Sequence, residues 1–234
     1  MVCKMSIKSF LRPFWIKVRC FLWQFSLPDL CKINMNDKYG VHFYAIHYQK
    51  FFKKYKFKKV KVLEIGVHVG SSLKVWSNYF VRGEILAFDI LYTQIKVNKC
   101  KILKGDQSDP GFLKEIGDKY GPFDIIIDDG SHLSSHVIVS LECLWKYLKI
   151  GGLYCIEDLQ TSYWTDYDGS HDVNYKTTSI NYLKKIIDEI NYEEIPNYKV
   201  GQFGPFCRAA HFYHNLCILE KGKNEEGSNR GSIV

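Results

Sequence analysis

Asp128-Asp129-Gly130-Ser131-His132 and Glu157-Asp158 each sit where an apolar run, Phe123 to Ile127 and then Leu153 to Ile156, gives way to a loop. Carboxylate oxygens suit a hard divalent cation such as Mg²⁺, and an imidazole beside them is a base for removing a proton. Strand C-terminal ends in an open α/β sheet face one crevice, so Asp129, His132, Glu157 and Asp158 can converge although they are far apart in the chain. Asp129, Glu157 and Asp158 are the candidate metal ligands and His132 the candidate catalytic base. The chemistry expected is metal-assisted group transfer to oxygen, in which a cation acidifies a bound hydroxyl and His132 takes its proton. Solvated strand-end caps are the plain alternative for one such cluster; two clusters at successive strand ends weaken it.

A second constellation lies upstream. Glu64-Ile65-Gly66-Val67-His68-Val69-Gly70 follows an apolar strand and precedes a helix, so its glycines let a ligand approach the backbone at that turn. The spacing is Gly-x-x-x-Gly, neither the dinucleotide Gly-x-Gly-x-x-Gly nor a P-loop ending in Gly-Lys-Ser/Thr. Asp89 ends the next strand, where a carboxylate can accept hydrogen bonds from ribose hydroxyls, and Gly105-Asp106-Gln107 closes the third. The set suits an adenosine ligand without a pyrophosphate. Glu64, Gly66, Val67, Gly70, Asp89, Asp106 and Gln107, together with Asp128, are the candidate cofactor-binding residues.

The elements that must position these groups follow from periodicity. Val60–Ile65, Glu84–Asp89, Cys100–Lys104, Phe123–Asp128 and Gly152–Glu157 read as strands. They alternate with helices over Ser71–Tyr79, Pro110–Tyr120, Ser134–Leu148 and Thr177–Asn191. Two extended runs follow, a weak one over Tyr198–Phe203 and a long one over Ala209–Glu220. This βαβ rhythm predicts a doubly wound, mostly parallel sheet. Upstream, Val41–Tyr55 reads as an aromatic helix, preceded after Pro28 by a loosening chain and a linker over Asn34–Gly40. Residues 8–27 carry a broad apolar helical face edged by Lys8, Arg12 and Arg19. Lys17 and Arg19 interrupt that face, so it falls short of the roughly 18 uninterrupted apolar residues of a spanning helix. Docking on protein and contact with an anionic membrane surface both stay open for it. The expected organisation is a helical extension over residues 1–33, one α/β domain over 34–222 and a polar tail over 223–234.

Composition bounds the reading further. At 234 residues the chain has room for one such domain and little more. The 46% hydrophobic content excludes a disordered chain. Eight cysteines without a Cys-x-x-Cys argue against a zinc knuckle or a disulfide scaffold and for free buried thiols in a reducing compartment. The net charge of +7 is mild, and the stretch from Lys50 to Lys61 reads as a solvated helix face and the approach to a strand. With no accompanying RNA- or DNA-binding motif, nucleic acid is not an expected partner.

These residues resemble a known family. Glu64-x-Gly66-x-x-x-Gly70, Asp89 and Gly105-Asp106-Gln107 look like the S-adenosylmethionine site of class I methyltransferases. Ile127 to His132 together with Gly151 to Asp158 narrows the likeness to the metal-dependent sugar O-methyltransferases of macrolide biosynthesis. The resemblance runs from Asp37-Lys38-Tyr39-Gly40 through His47-Tyr48 and Thr161-Ser162-Tyr163-Trp164 to His211-Phe212-Tyr213 and Glu220-Lys221-Gly222. It implies a Rossmann-like seven-stranded sheet with an antiparallel C-terminal strand, Mg²⁺ on Asp129, Glu157 and Asp158, and His132 as the base. It also implies S-adenosylmethionine as methyl donor, a sugar-bearing acceptor and His47-Tyr48 near the cofactor. A homo-oligomer in the cytoplasm is expected, with peripheral membrane contact through residues 8–27 left open. Two rivals remain: a Mg²⁺-dependent O-methyltransferase of a non-sugar small molecule, and a non-catalytic adenosine-fold binding module.

Among the remaining side chains, His136 reads as a neighbour supporting the site and His42 as a packing histidine. Tyr163 and Trp164 could stack on a sugar face. Thr165 to Thr177, polar and rich in tyrosine, reads either as a substrate lid or as an ordinary loop.

Overall fold

Chain contacts in the computed structural model, which describes residues 25–91, 94–225 and 227–228, group into two units. The first comprises residues 1–60, 67–85 and 94–101, and the second residues 61–66, 86–93 and 102–234. The amphipathic segment expected over residues 8–27 lies outside the described residues except for its last three positions. Among the described residues no helix is long and apolar enough to cross a membrane.

The first unit contains helices α1 (Leu27–Ile33), α2 (Tyr44–Phe52) and α3 (Ser71–Tyr79). The chain does not loosen after Pro28, because Ser26 and Asp29 form a reciprocal capping box and Pro28 supplies a preset φ in the first turn. Aromatic packing holds this unit together: Tyr48 stacks on Phe52 at 4.7 Å, and Trp76 meets both rings edge-on at 5.9 and 5.8 Å. Two of the lysines expected on a solvated face serve structure instead. Lys56 is buried and donates to the Phe25 carbonyl at 2.8 Å, and in the second unit Lys61 Nζ donates to the Tyr120 carbonyl at 3.1 Å. The basic stripe is thereby thinned.

A seven-stranded sheet runs in the order β3-β2-β1-β4-β5-β7-β6. Its strands are β1 (Lys61–Ile65), β2 (Glu84–Asp89), β3 (Cys100–Lys104), β4 (Phe123–Asp128), β5 (Leu148–Ile156), β6 (Cys207–Tyr213) and β7 (Leu216–Lys221). β1, β4 and β5 are parallel, whereas β7 is antiparallel to β5 and β6 to β7. This is the Rossmann-like topology expected. Helices α4 (Pro110–Tyr120), α5 (Ser134–Leu144) and α6 (Ser179–Ile190) belong to the second unit. α4 starts on Asp109, whose side chain accepts from Gly111 N, with Pro110 in the first turn; α6 starts on Thr178, whose side chain accepts from Asn181 N.

Register explains which residues form the core. The pairings Leu63↔Ile126, Ile126↔Tyr154 and Tyr154↔Leu219 put these four on one face, where they join Leu113, Ile116, Val137, Leu141, Leu183 and Ile186 in a buried cluster. Each such aliphatic or aromatic side chain contributes about 1.5–3 kcal/mol through burial.

The helix read to Leu148 ends at Leu144 and gives way to a 3-10 turn, and β5 begins at Leu148 rather than Gly152. Tyr198–Phe203 contains no strand. The long run Ala209–Glu220 is two strands folded back on one another, with Asn215 in the left-handed conformation at φ 61° in the turn. The strand total of seven stands because this split replaces the missing weak strand.

Candidate active site

The sheet ladder extends one residue beyond each strand end and thereby sets the acidic loops. Asp129 N donates to the Ile65 carbonyl at 3.0 Å, and Glu157 N donates to the Asp128 carbonyl at 3.0 Å. Gly66 makes the first of these approaches possible: it sits at φ 90°, and a Cβ there would lie 2.1 Å from the Asp129 carbonyl oxygen.

From this base Asp129, His132 and Asp158 each offer a ligand atom within 4.8 Å of the others. His132 Nε2 lies 3.5 Å from Asp158 Oδ2, with side chains 23% and 18% exposed, so water and an acceptor can reach both. His132 and Asp158 share an unusual backbone, left-handed at φ 60° and 54°, a state that costs non-glycine residues about 1–3 kcal/mol and persists only where surroundings enforce it. Thr161 is one enforcer. Its buried Oγ1 lies 3.0 Å from the His132 carbonyl oxygen and 2.8 Å from that of Asp158, sharing its proton between the two loops. Sequence reasoning did not single out this hydroxyl, since no spacing signal marks a residue that acts on carbonyls.

Glu157, the third expected ligand, does not join the 4.8 Å group; its side chain is buried one position before Asp158.

Of the cofactor candidates, Gln107 and Asp128 face one another. Gln107 Nε2 donates to Asp128 Oδ1 at 2.6 Å and to Ser140 Oγ at 2.9 Å, while Gln107 Oε1 accepts from Ser131 N at 2.9 Å. Ser140 Oγ also lies 2.9 Å from Asp128 Oδ2. Burial pushes the Asp128 carboxyl up to about 7 against the opposing pull of these hydrogen bonds. Both residues therefore brace the loop that carries Asp129 and His132. His136 does similar work at 2.9 Å from Ser131 Oγ through Nδ1.

Asp106 Oδ1 accepts from Ser108 N and Oγ, both at 2.7 Å, and these bonds hold its carboxyl below the usual range. Asp89 is half-buried at the end of β2 and accepts from Leu91 N at 2.9 Å. Glu64 is buried in β1. Val67 and Gly70 fall in the first unit, Val67 buried and Gly70 opening α3 at φ 70°. In that unit Tyr48 is core, and burial, then Lys50, pushes the His47 imidazole down.

The chain is 39% identical over 216 residues to mycinamicin VI 2''-O-methyltransferase of Micromonospora griseorubida, covering 86% of this chain and 54% of that protein. It is 38% identical over 222 residues to demethylmacrocin O-methyltransferase of Streptomyces fradiae, covering 88% of this chain and 56% of that protein. The solved structure of MycE methyltransferase from the mycinamycin biosynthetic pathway, in complex with Mg, SAH and mycinamycin VI, superposes with a TM-score of 0.83 at 39% identity. That match covers 86% of this chain and 55% of MycE. The chain is a homologue of macrolide sugar O-methyltransferases. Its fold is that of the class I methyltransferases. It spans little more than half the length of these relatives. No family model matches it.

Proposed function

We propose that the chain is an S-adenosylmethionine-dependent, Mg²⁺-dependent O-methyltransferase acting on a sugar hydroxyl of a glycan, glycolipid or glycosylated metabolite. The observation that carries this reading is the convergence of Asp129, His132 and Asp158 within 4.8 Å. The similarity to mycinamicin VI 2''-O-methyltransferase and to an O-methyltransferase of a rhamnosyl tetracenomycin supports the acceptor class.

The donor set fits the ion. Mg²⁺ is commonly held by one or two carboxylates while keeping water and substrate oxygens in its remaining positions. Asp129 and Asp158 provide two carboxylates in a water-accessible setting, with buried Glu157 adjacent in the chain as the third proposed ligand. A divalent cation bound there would supply the charge that makes a sugar hydroxyl acidic enough to react near neutral pH.

His132 Nε2 accepts the hydroxyl proton, and Asp158, 3.5 Å from that nitrogen, stabilises the imidazolium that results. The freed oxygen bonds the methyl carbon as the carbon–sulfur bond breaks, leaving S-adenosylhomocysteine. Thr161, Gln107 and Ser140 hold the loops in register, and such positioning can contribute roughly 7–11 kcal/mol to a two-reactant step. Gly66, Asp89 and Asp106 are the proposed cofactor contacts, at the ends of or just beyond successive strands.

Incubation with methyl-labelled S-adenosylmethionine, Mg²⁺ and a panel of sugar glycosides and catechols tests the reading. Label on glycosides alone is the expected result. Label on catechols alone would replace the sugar with a phenol, and label on neither would end the assignment.

A further inference from the structure

Beside the candidate active site the second unit has a hollow of about 570 Å³, within the roughly 300–1,000 Å³ of small-molecule sites. Ser135, Thr165, Asp168, Ser170, Tyr175 and Thr177 line it. Most ligand pockets are lined largely by apolar side chains, whereas this lining is hydroxyls, one carboxylate and one aromatic ring. A ligand there must offer many hydrogen-bonding groups. It must also be neutral or cationic, because among the described residues none of the lining side chains is basic and Asp168 is acidic.

The wall is already ordered. Ser135 Oγ donates to Asp168 Oδ2 at 2.6 Å, bridging the start of α5 to the loop. Gly169 N donates to the Trp164 carbonyl and Ser170 N to that of Ser162, both at 3.0 Å. A Cβ at position 169 would lie 2.4 Å from the Thr161 carbonyl oxygen, so the loop passes directly over the turn that clamps His132 and Asp158. Tyr175 is held by its backbone: its N–H donates to the Asp172 carbonyl at 3.0 Å, and its carbonyl accepts from Asn181 Nδ2 at 2.7 Å. The residue is 49% exposed. An aromatic face beside a carboxylate and several hydroxyls matches a sugar, whose ring carries apolar C–H faces and equatorial hydroxyls. Prior ordering of the loop lowers the entropy cost of binding.

None of the residues of the candidate cluster lines this hollow, so a ring seated in it is not the ring being methylated. We propose that the hollow is a second saccharide subsite, holding the neutral sugar next to the reacting one, so that the enzyme selects acceptors of two or more sugars. Tyr175 stacks on the ring, while Asp168 and the hydroxyls of Ser135, Thr165 and Thr177 bond its hydroxyls. The role as an acceptor subsite rests on the proposed function; the sugar-binding claim stands on the hollow alone.

Two readouts separate these claims. Saturation-transfer NMR on the full chain, without metal or cofactor, uses para-nitrophenyl mono- and diglycosides of rhamnose, galactose and glucose as probes. A diglycoside signal that is lost in Tyr175→Ala and Asp168→Asn and kept in Tyr175→Phe is the expected result. No sugar signal in the wild type, or an unchanged signal in both alanine and asparagine variants, overturns the subsite. Methyl transfer is then compared on mono- and diglycosides. Tyr175→Ala should raise KM for diglycosides about tenfold, the scale of one aromatic contact, with kcat on monoglycosides unchanged. Equal losses on both acceptors would mark a merely structural role and overturn the proposal. Sugar binding without methylation of any acceptor would remove the proposed function and leave a sugar site.

Discussion

Asp129, His132 and Asp158 belong to two loops more than twenty residues apart in sequence, yet their ligand atoms lie within 4.8 Å. His132→Ala should lower turnover by about 10²–10⁴-fold, the range for loss of a general base, with acceptor KM little changed. Steady-state kinetics checks this, and near-normal kcat would remove the base assignment. Thr161→Val removes the proton shared by the His132 and Asp158 carbonyls while nearly preserving volume. We expect kcat to fall about 10- to 100-fold through misplacement of the site, with a Tm loss of only a few degrees; a variant with normal kcat would show that the clamp is dispensable. Strand-end placement made Asp129, His132 and Asp158 legible from residue type alone. Thr161 and the Gln107–Asp128–Ser140 net were not legible in these roles. Their partners are backbone or one another, and a hydrogen bond between distant segments leaves no periodic trace in sequence. Glu157 shows the limit from the other side, since adjacency in sequence did not bring it into the group with Asp158.

At the scale of elements, legibility followed local signals. Helices α3 and α4 and strands β2, β3 and β4 have the bounds their hydrophobic patterns and caps predict. Strand β5 begins four residues before the expected Gly152 and ends at Ile156. Gly151 and Gly152 belong to an irregularity in which Phe123 pairs with Leu148 but Ile125 pairs with Leu153, with Gly151 at φ 82°, and a pair of glycines carries no strand signal. The β6–β7 hairpin was hidden for the opposite reason, since His214-Asn215 lacks the Asn-Gly signature of a tight turn. Two predictions belong here. Gly66→Ala forces a Cβ against the Asp129 carbonyl from a φ of 90°, and should cost at least about 1–3 kcal/mol in urea unfolding as well as turnover; a neutral effect would contradict the coupling of β1 to the Asp129 loop. In the hairpin, burial pushes the Glu220 carboxyl up, but Arg208 at 2.7 Å and His211 at 2.8 Å outweigh it and leave it below the ordinary 4.5. Its contribution is therefore complete above the unfolded value and is lost as pH falls through the folded one. Arg208→Ala, at a half-exposed pair, should cost less than about 1 kcal/mol at pH 7, with the gap from wild type closing in acid. A gap that widens in acid would reverse the assignment.

For the molecule as a whole, the second unit contains Asp129, His132, Asp158 and the proposed saccharide subsite, although the chain spans little more than half the length of its relatives. If this unit holds the ion by itself, Mg²⁺ should stabilise the folded chain by about 2.7 kcal/mol at a hundredfold excess over Kd. Asp129→Asn and Asp158→Asn should abolish that gain in thermal melts. The most direct test of the central claim is methyl transfer to a sugar glycoside as Mg²⁺ is titrated into chelator-stripped protein. Turnover that rises from near zero and saturates in the wild type, but stays flat in Asp158→Asn, is the predicted result; full turnover in excess chelator would contradict it.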